Sequence, residues 1–337
     1  MERQRAASQS EGHGGHRAIA GRLVQTIVTI WILATLTWLM FRMLPGDPTT
    51  MLLRTGQLPA DAVEQLRREW ALDDPVWVQY LRYLGNILTG NLGISFVFRQ
   101  PVIDVLLPAF GNTVLLMTPS VALAIALGLV AGSWLGWRRG SAMETLGSVI
   151  VLVPRALPAF WIGIVVLLVF AYTLQWFPSG GIRTPAFIPE TWLEALPGYD
   201  IARHLILPVL AAVLYFVADP LMIMRTAMLE ARSEDYVAYA TARGLSETQV
   251  MRLARRNALL PVITYVAIMV SFAFGGQVLL EIVFSWPGMG RLMVNAVTQR
   301  DYPVAQAAFL LMAVIVVVVN LGVDLIYRWL DPRIRDA

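Results

Sequence analysis

Few residues in this sequence are equipped for chemistry, and their placement is the first guide to function. The chain holds three histidines and no cysteine, and because all 26 basic residues are arginine it contains no lysine. Without thiols there is neither a disulfide nor a thiolate metal site. Without lysine there is no phosphate loop of the kind that grips nucleotides, since that loop needs a lysine on the β- and γ-phosphates. His13 and His16 lie in a polar leader that gives a metal no fixed geometry. His204 has no nucleophile–base set around it in the membrane-facing loops. No catalytic residue, metal or bound cofactor is therefore expected. The ionisable groups that stand out lie within or beside long apolar runs. Arg155 is flanked by Pro154 and Pro158, and Asp219 precedes Pro220. Glu281 and Asp324 fall near the ends of such runs, where water is close, and no role is expected of them. An unpaired carboxylate at the depth of Asp219, roughly 20 Å along a helix that rises 1.5 Å per residue, would face lipid at a cost of several kcal/mol. Asp219 must therefore face a pore or a helical partner. Asp219 and Arg155 are the candidates for a translocation path, with a structural bond between helices as the rival role for Asp219.

The elements that would position these groups follow from composition. The 337 residues are 57% apolar and only 15% charged, against nearer half and a quarter in ordinary soluble domains. Six segments approach or exceed the ~20 apolar residues needed to cross a bilayer core. They run from Leu23 to Leu44, Thr113 to Trp137, Val149 to Trp176, Leu205 to Met224, Val262 to Val283 and Ala305 to Tyr327. Strand-like alternation is absent, so each is expected to be a helix that satisfies its own backbone in lipid. The first is too long for a signal-peptide core and lacks a cleavage site, so it reads as a retained helix. The expectation is an all-α integral membrane fold with six spans. Residues 1–21 are read as a disordered tail, 22–330 as the membrane domain and 331–337 as a short tail.

Arginine placement sets the orientation. With the N-terminus inside, the cytoplasmic segments hold Arg3, Arg5, Arg17, Arg22, Arg138, Arg139, Arg328, Arg333, Arg335 and six more between Arg225 and Arg256. The short outer loops hold only Arg183, Arg203, Arg291 and Arg300. Both termini are thus expected to be cytoplasmic. A net charge of +3 fits this pattern better than it fits nucleic-acid binding.

Two loops carry order of their own. In the outer loop 45–112, Pro59, Asp61 and Glu64 open one helical stripe with Val63, Leu66 and Trp70. Asp73 and Asp74 can cap a second, through Trp77, Tyr80, Leu81 and Leu84, that ends at Gly85. These helices could form a lid, a docking platform or padding of the interface. In the inner loop 225–261, Ser233 is expected to cap a helix opened by Glu234 and Asp235 and closed at Gly244. Ser246 with Gln249 makes a capping box for a second helix. A helix, a glycine elbow and another helix form a knob suited to a cleft in a soluble partner, or a basic hairpin lying on anionic headgroups.

The stretch Asp235-Tyr236-Val237-Ala238-Tyr239-Ala240-Thr241-Ala242-Arg243-Gly244-Leu245-Ser246, followed by Arg256-Asn257-Ala258-Leu259-Leu260-Pro261, resembles the EAA loop of bacterial ABC importer permeases of the dipeptide, oligopeptide and nickel class. Three further stretches agree, in order: Phe41 to Pro48; Trp77 to Leu81 with Gly90 to Gly93; and Phe284 to Arg291 with Arg300 to Val304. They are similar to the first of that family's two permease subunits. Departures are Ala238 and Tyr239 at the EAA glutamate and alanine, Leu253 in place of a usual histidine, and the Asp219-Pro220-Met222 region.

The resemblance implies a type I permease fold. It implies a second homologous permease, two ATPase subunits that carry ATP and Mg²⁺, an extracytoplasmic binding protein and a bacterial inner-membrane location. Carried over, the ATPase-docking residues are Tyr236, Ala240, Gly244 and Leu245, with Arg243 at the rim. The rival class is a stand-alone secondary transporter or channel with Asp219, Arg155 and Glu281 as coupling groups, against which no pair of broken helices recurs in symmetric halves.

Overall fold

The computed structural model describes residues 2–43, 74–189, 191 and 194–330. The expected first outer helix from Pro59 to Trp70, the Pro45-to-Pro48 stretch, Asp73 and the 331–337 tail lie outside the described residues, as does the Asp324 side chain.

Helix α1 (Glu2–Arg42) starts inside the segment expected to be disordered. Extending a helix already nucleated by an apolar run is far easier than starting one. Helix α2 (Val76–Thr89) has Pro75 at its N-cap, with no side-chain capping bond there. It continues past Gly85 and closes at Gly90, whose positive φ of 74° and N–H bonds to Asn86 and Ile87 carbonyls make it the cap. Helix α3 (Val102–Trp137) begins well before the expected Thr113. The third apolar run is not one helix. It is α4 (Ala142–Arg155) and α5 (Ala159–Val166), the latter continued by a π-helical stretch, Leu167–Thr173. The two are bent by 100°, because Pro158 has no N–H and drives Leu157 out of helical geometry.

The fourth run loses one backbone bond near Val217, between α6 (Tyr199–Phe216) and α7 (Ala218–Arg232), where Pro220 has no N–H to offer the Phe216 carbonyl, while Val217 keeps helical dihedrals. Helices α8 (Asp235–Ala242) and α9 (Glu247–Gly276) follow, α9 bending by 42° at Pro261. The chain then forms α10 (Val278–Val283), α11 (Met289–Thr298) and α12 (Tyr302–Leu330). Among the described residues, four segments are long and apolar enough to cross a membrane, Gly21–Arg42, Val102–Trp137, Tyr199–Phe216 and Tyr302–Gly322, or six if each bent pair is one span. The fold is that of a helical integral membrane protein.

The helices fall into two compact units. In one, built from residues 1–108 and 292–337, α1 packs along α12 and against α2. Tyr80 bonds Thr35 at 2.7 Å and meets Trp38 edge-on, while Phe41 meets Tyr302. Burial pushes the Tyr83 phenol up to about 12, so it stays a neutral donor to the Ala34 carbonyl. The Arg300-to-Val304 stretch meets the loop just past Gly93 here. Buried Asp301 accepts bonds from the Ser95 hydroxyl at 2.5 Å and from the backbone N–H groups of Phe96 and Val97.

The other unit, residues 109–291, contains two apolar cores. One gathers Leu116, Met117, Ile162, Leu207, Phe216, Met269, Phe284 and Trp286; the other joins Met224, Met228, Val237, Ala240, Val250 and Ala254. Gly128, Gly132 and Gly136 form a stripe on α3 that lets α7 approach backbone to backbone. A Cβ on Gly132 would lie 2.5 Å from the Leu221 carbonyl oxygen, and one on Gly136 2.6 Å from that of Arg225.

Candidate functional site

The inner loop forms a self-capped knob on the α7 and α9 helices, which pack closely along each other. Its entry differs from the sequence expectation. Ser233 closes α7 by donating to the Glu230 carbonyl at 2.7 Å, and Glu234 takes the N-cap position of α8. A serine that follows a helix finds unpaired carbonyls within reach, which explains the exchange. The elbow ends α8 in a Schellman motif. Gly244 has φ 81°, its N–H bonds the Thr241 carbonyl at 2.9 Å, and the Leu245 N–H bonds that of Ala240 at 3.3 Å. Ser246 and Gln249 then form the capping box of α9, with the Ser246 N–H donating to Gln249 Oε1 at 2.9 Å.

These bonds divide the knob's side chains into two faces. Val237 and Ala240 are buried against α7 and α9, and Tyr236 is half-buried on the same core. Arg243, Gly244 and Leu245 are exposed at the tip. Tyr239 is 64% exposed, and the Arg243 guanidinium lies over its ring at 5.5 Å. Of the residues expected to dock, then, Arg243, Gly244 and Leu245 form a surface, while Tyr236 and Ala240 hold the helix that presents it. Tyr239 is the surface residue the sequence reading left out. Its signal was there: it lies four residues before Arg243, on the face away from Val237 and Ala240.

The knob is braced to the end of α3. Trp137 Nε1 donates to Glu247 Oε1 at 2.8 Å, and Arg232 donates to the Trp137 carbonyl at 2.7 Å and lies over its ring. Beside it, Glu144 pairs with Arg225 and accepts the Gly140 N–H at 2.6 Å.

The two path candidates meet. Arg155 Nε donates to both carboxylate oxygens of Asp219, at 3.1 and 3.2 Å, and Tyr265 OH donates to Oδ2 at 2.5 Å. The guanidinium lies 4.5 Å from the centre of the Tyr215 ring. The side chains remain 35% and 26% exposed. Glu281 is not near water as expected. It is 1% exposed, accepts from Thr113 Oγ1 at 2.6 Å and from the Arg291 N–H at 2.9 Å, and so ties down the loop before α11. His204 Nε2 faces Thr184 Oγ1 at 3.1 Å and Asp200 Oδ1 at 3.6 Å. Both partners share one ring nitrogen, so the imidazole cannot relay a proton between them as a nucleophile's base would.

The chain is thus a helical membrane protein with a self-capped, exposed knob and an ion pair between Arg155 and Asp219. The profile described as "binding-protein-dependent transport system inner membrane component" matches residues 124–336, and that for the N-terminal part of such membrane components matches residues 16–117. The chain belongs to this family. Among its relatives, the Pseudomonas aeruginosa di/tripeptide transport system permease protein DppB is 36% identical over 94% of this chain and 98% of its own length. The Bacillus subtilis oligopeptide transport system permease protein AppB is 36% identical over 92% and 98%. The Escherichia coli glutathione transport system permease protein GsiC is 35% identical over 93% and 97%.

Proposed function

We propose that this chain is the permease subunit of an ATP-driven importer of peptides or a related small solute, in the bacterial inner membrane. A second homologous permease completes the translocation path. Two ATPase subunits bind ATP and Mg²⁺, and an extracytoplasmic binding protein delivers the substrate. The chain crosses six times, each bent pair counting as one span, with both termini and the knob in the cytoplasm. The knob docks on an ATPase subunit through Tyr239, Arg243, Gly244 and Leu245, seated by Tyr236 and Ala240. Arg155 and Asp219 border the path as a neutralised pair rather than as single charges.

The observation that carries this reading is the knob itself, in a chain that matches the family along nearly its whole length. Its helices are locked by a Schellman turn, a capping box and a buried core, so it can transmit displacement without deforming. Nucleotide can bias an inward- and outward-facing equilibrium only through its different affinity for the two states. A stiff contact is what links that difference to the membrane helices. Co-expression with ATPase, second-permease and binding-protein subunits from the same genome, followed by pull-down and uptake of a labelled peptide panel, tests the proposal. Retention of the ATPase subunits and ATP-dependent uptake are expected. Uptake by this chain alone, without ATPase subunits, would overturn it.

A further inference from the structure

Three apolar runs of the 109–291 unit bend or lose a backbone bond at proline, and these points gather at one place. Arg155 is the last residue of α4, before the 100° turn into α5. Tyr215 and Asp219 flank the lost bond near Val217, and Tyr265 follows the Pro261 bend in α9. Arg155, Asp219 and Tyr265 are hydrogen-bonded to one another through the Asp219 carboxylate, and Arg155 lies on Tyr215. The two apolar cores lie mostly on either side of this cluster along the chain, with Val262, just past Pro261, still in the knob's core. Met224, Met228, Val250 and Ala254 belong to the knob's side of the three points, and Ile162, Leu207, Phe216 and Met269 to the other.

On the knob's side everything is strapped together. The glycine stripe seats α7 on α3, Trp137 joins α3 to α9 through Glu247 and to α7 through Arg232, and Arg225 joins α7 to α4 through Glu144. These bonds fasten that side to the knob. A helix that has lost a backbone bond to proline bends there more readily than elsewhere. A half-exposed carboxylate that binds α4, α7 and α9 together at that level controls whether it does.

We infer that Asp219, with Arg155 and Tyr265, is a clasp that positions the knob-bearing body against the rest of the membrane unit, so that displacement of the knob is passed on to the path. The inference rests on the proposed transport function and assigns the pair a positioning role rather than a substrate contact. Asp219→Asn removes the charge and keeps the size; Tyr265→Phe removes one hydrogen bond and keeps the ring. In both variants the strapped body still carries the knob, but its motion is no longer transmitted.

The test uses the assembled importer in proteoliposomes, measuring ATP hydrolysed per labelled peptide imported, with peptide KM and ATPase pull-down alongside. The wild-type complex must first show ATP-dependent uptake; if it does not, the transport reading fails and the clasp is not at issue. With uptake established, Asp219→Asn should raise the ATP-to-peptide ratio about tenfold, the factor that ~1.4 kcal/mol represents. Tyr265→Phe should raise it less, and the exchanged pair Arg155→Asp with Asp219→Arg should restore much of it. An unchanged ratio with an altered peptide KM would overturn the clasp in favour of a substrate contact. Loss of the assembled complex in Asp219→Asn, together with an unchanged ratio in Tyr265→Phe, would overturn it in favour of a purely structural bond.

Discussion

Replacing Gly244 by valine probes the knob where the structure separates two effects that are usually entangled. The residue holds φ 81° at the elbow, and a Cβ built on it meets nothing within 4 Å. The isolated chain therefore resists a side chain there only through backbone strain, roughly 1–2 kcal/mol for an L-residue in the left-handed region. The Schellman bonds of Gly244 and Leu245 lie between backbone atoms and do not depend on the side chain, so α8 and α9 should persist. Gly90 supplies a matched control, with φ 74° and equally open surroundings at the end of α2. Gly90→Val should cost the same strain and leave docking untouched. Any loss beyond that shared cost in Gly244→Val comes from a partner surface that needs the glycine's close approach. Both variants should insert and unfold within a few degrees of each other, whereas pull-down of the ATPase subunits and peptide uptake should fall about tenfold or more in Gly244→Val alone. Equal docking and uptake in the two variants would refute the reasoning.

Three further outcomes follow from the same geometry. Tyr239→Ala should weaken ATPase retention with little change in melting temperature, while Tyr236→Ala, which empties part of the core beneath the knob, should lower the melting temperature as well; a fluorescence melt beside pull-down distinguishes them. Gly132→Ala should destabilise the chain by ~1–3 kcal/mol through forced contact with α7, whereas Gly85→Ala, in an open position inside α2, should stabilise it by up to ~1 kcal/mol; thermal unfolding in detergent reads both. A cysteine at Thr248 should react with a membrane-impermeant reagent only from the cytoplasmic side and one at Leu88 only from outside, and the reverse pattern would invert the assigned orientation.

Local signals in the sequence survived into the structure wherever one short segment carried them whole. The Gly244 elbow and the Ser246–Gln249 capping box are both present, because each closes within a single turn. Ser233 and Gly85 were misread for the same local reason. Several residues nearby could have capped the helix, and the choice fell to Glu234 and Gly90. Pro154 and Pro158 were visible beside Arg155, but composition does not say whether a proline bends a helix a little or turns it by the observed 100°. The Arg155–Asp219 pair spans 64 positions, so each charge was visible alone and the bond between them was not. Trp137 and the Gly128, Gly132 and Gly136 stripe carried no reading in the sequence, because their meaning depends on α7 lying against them. Glu281 was placed near water by its distance from a span's end, and only the fold shows that Thr113 and the α11 loop enclose it.

The bonds around the knob form a graded series, and the gradation bears on how it works. Its tip carries exposed Tyr239, Arg243 and Leu245, which are available to a partner. Its base is fixed by backbone caps and by the buried Val237, Ala240, Val250 and Ala254. Further along the chain the supports are joined by a glycine contact, which holds by shape and is hard to slide once seated, and by charged bonds that break singly. The last of these, at Asp219, is half-exposed and holds helices already weakened by proline. Restraint therefore falls from the knob toward the Arg155–Asp219 pair. A mechanical link needs that order: were the knob the softest part, a partner's movement would be absorbed where it entered.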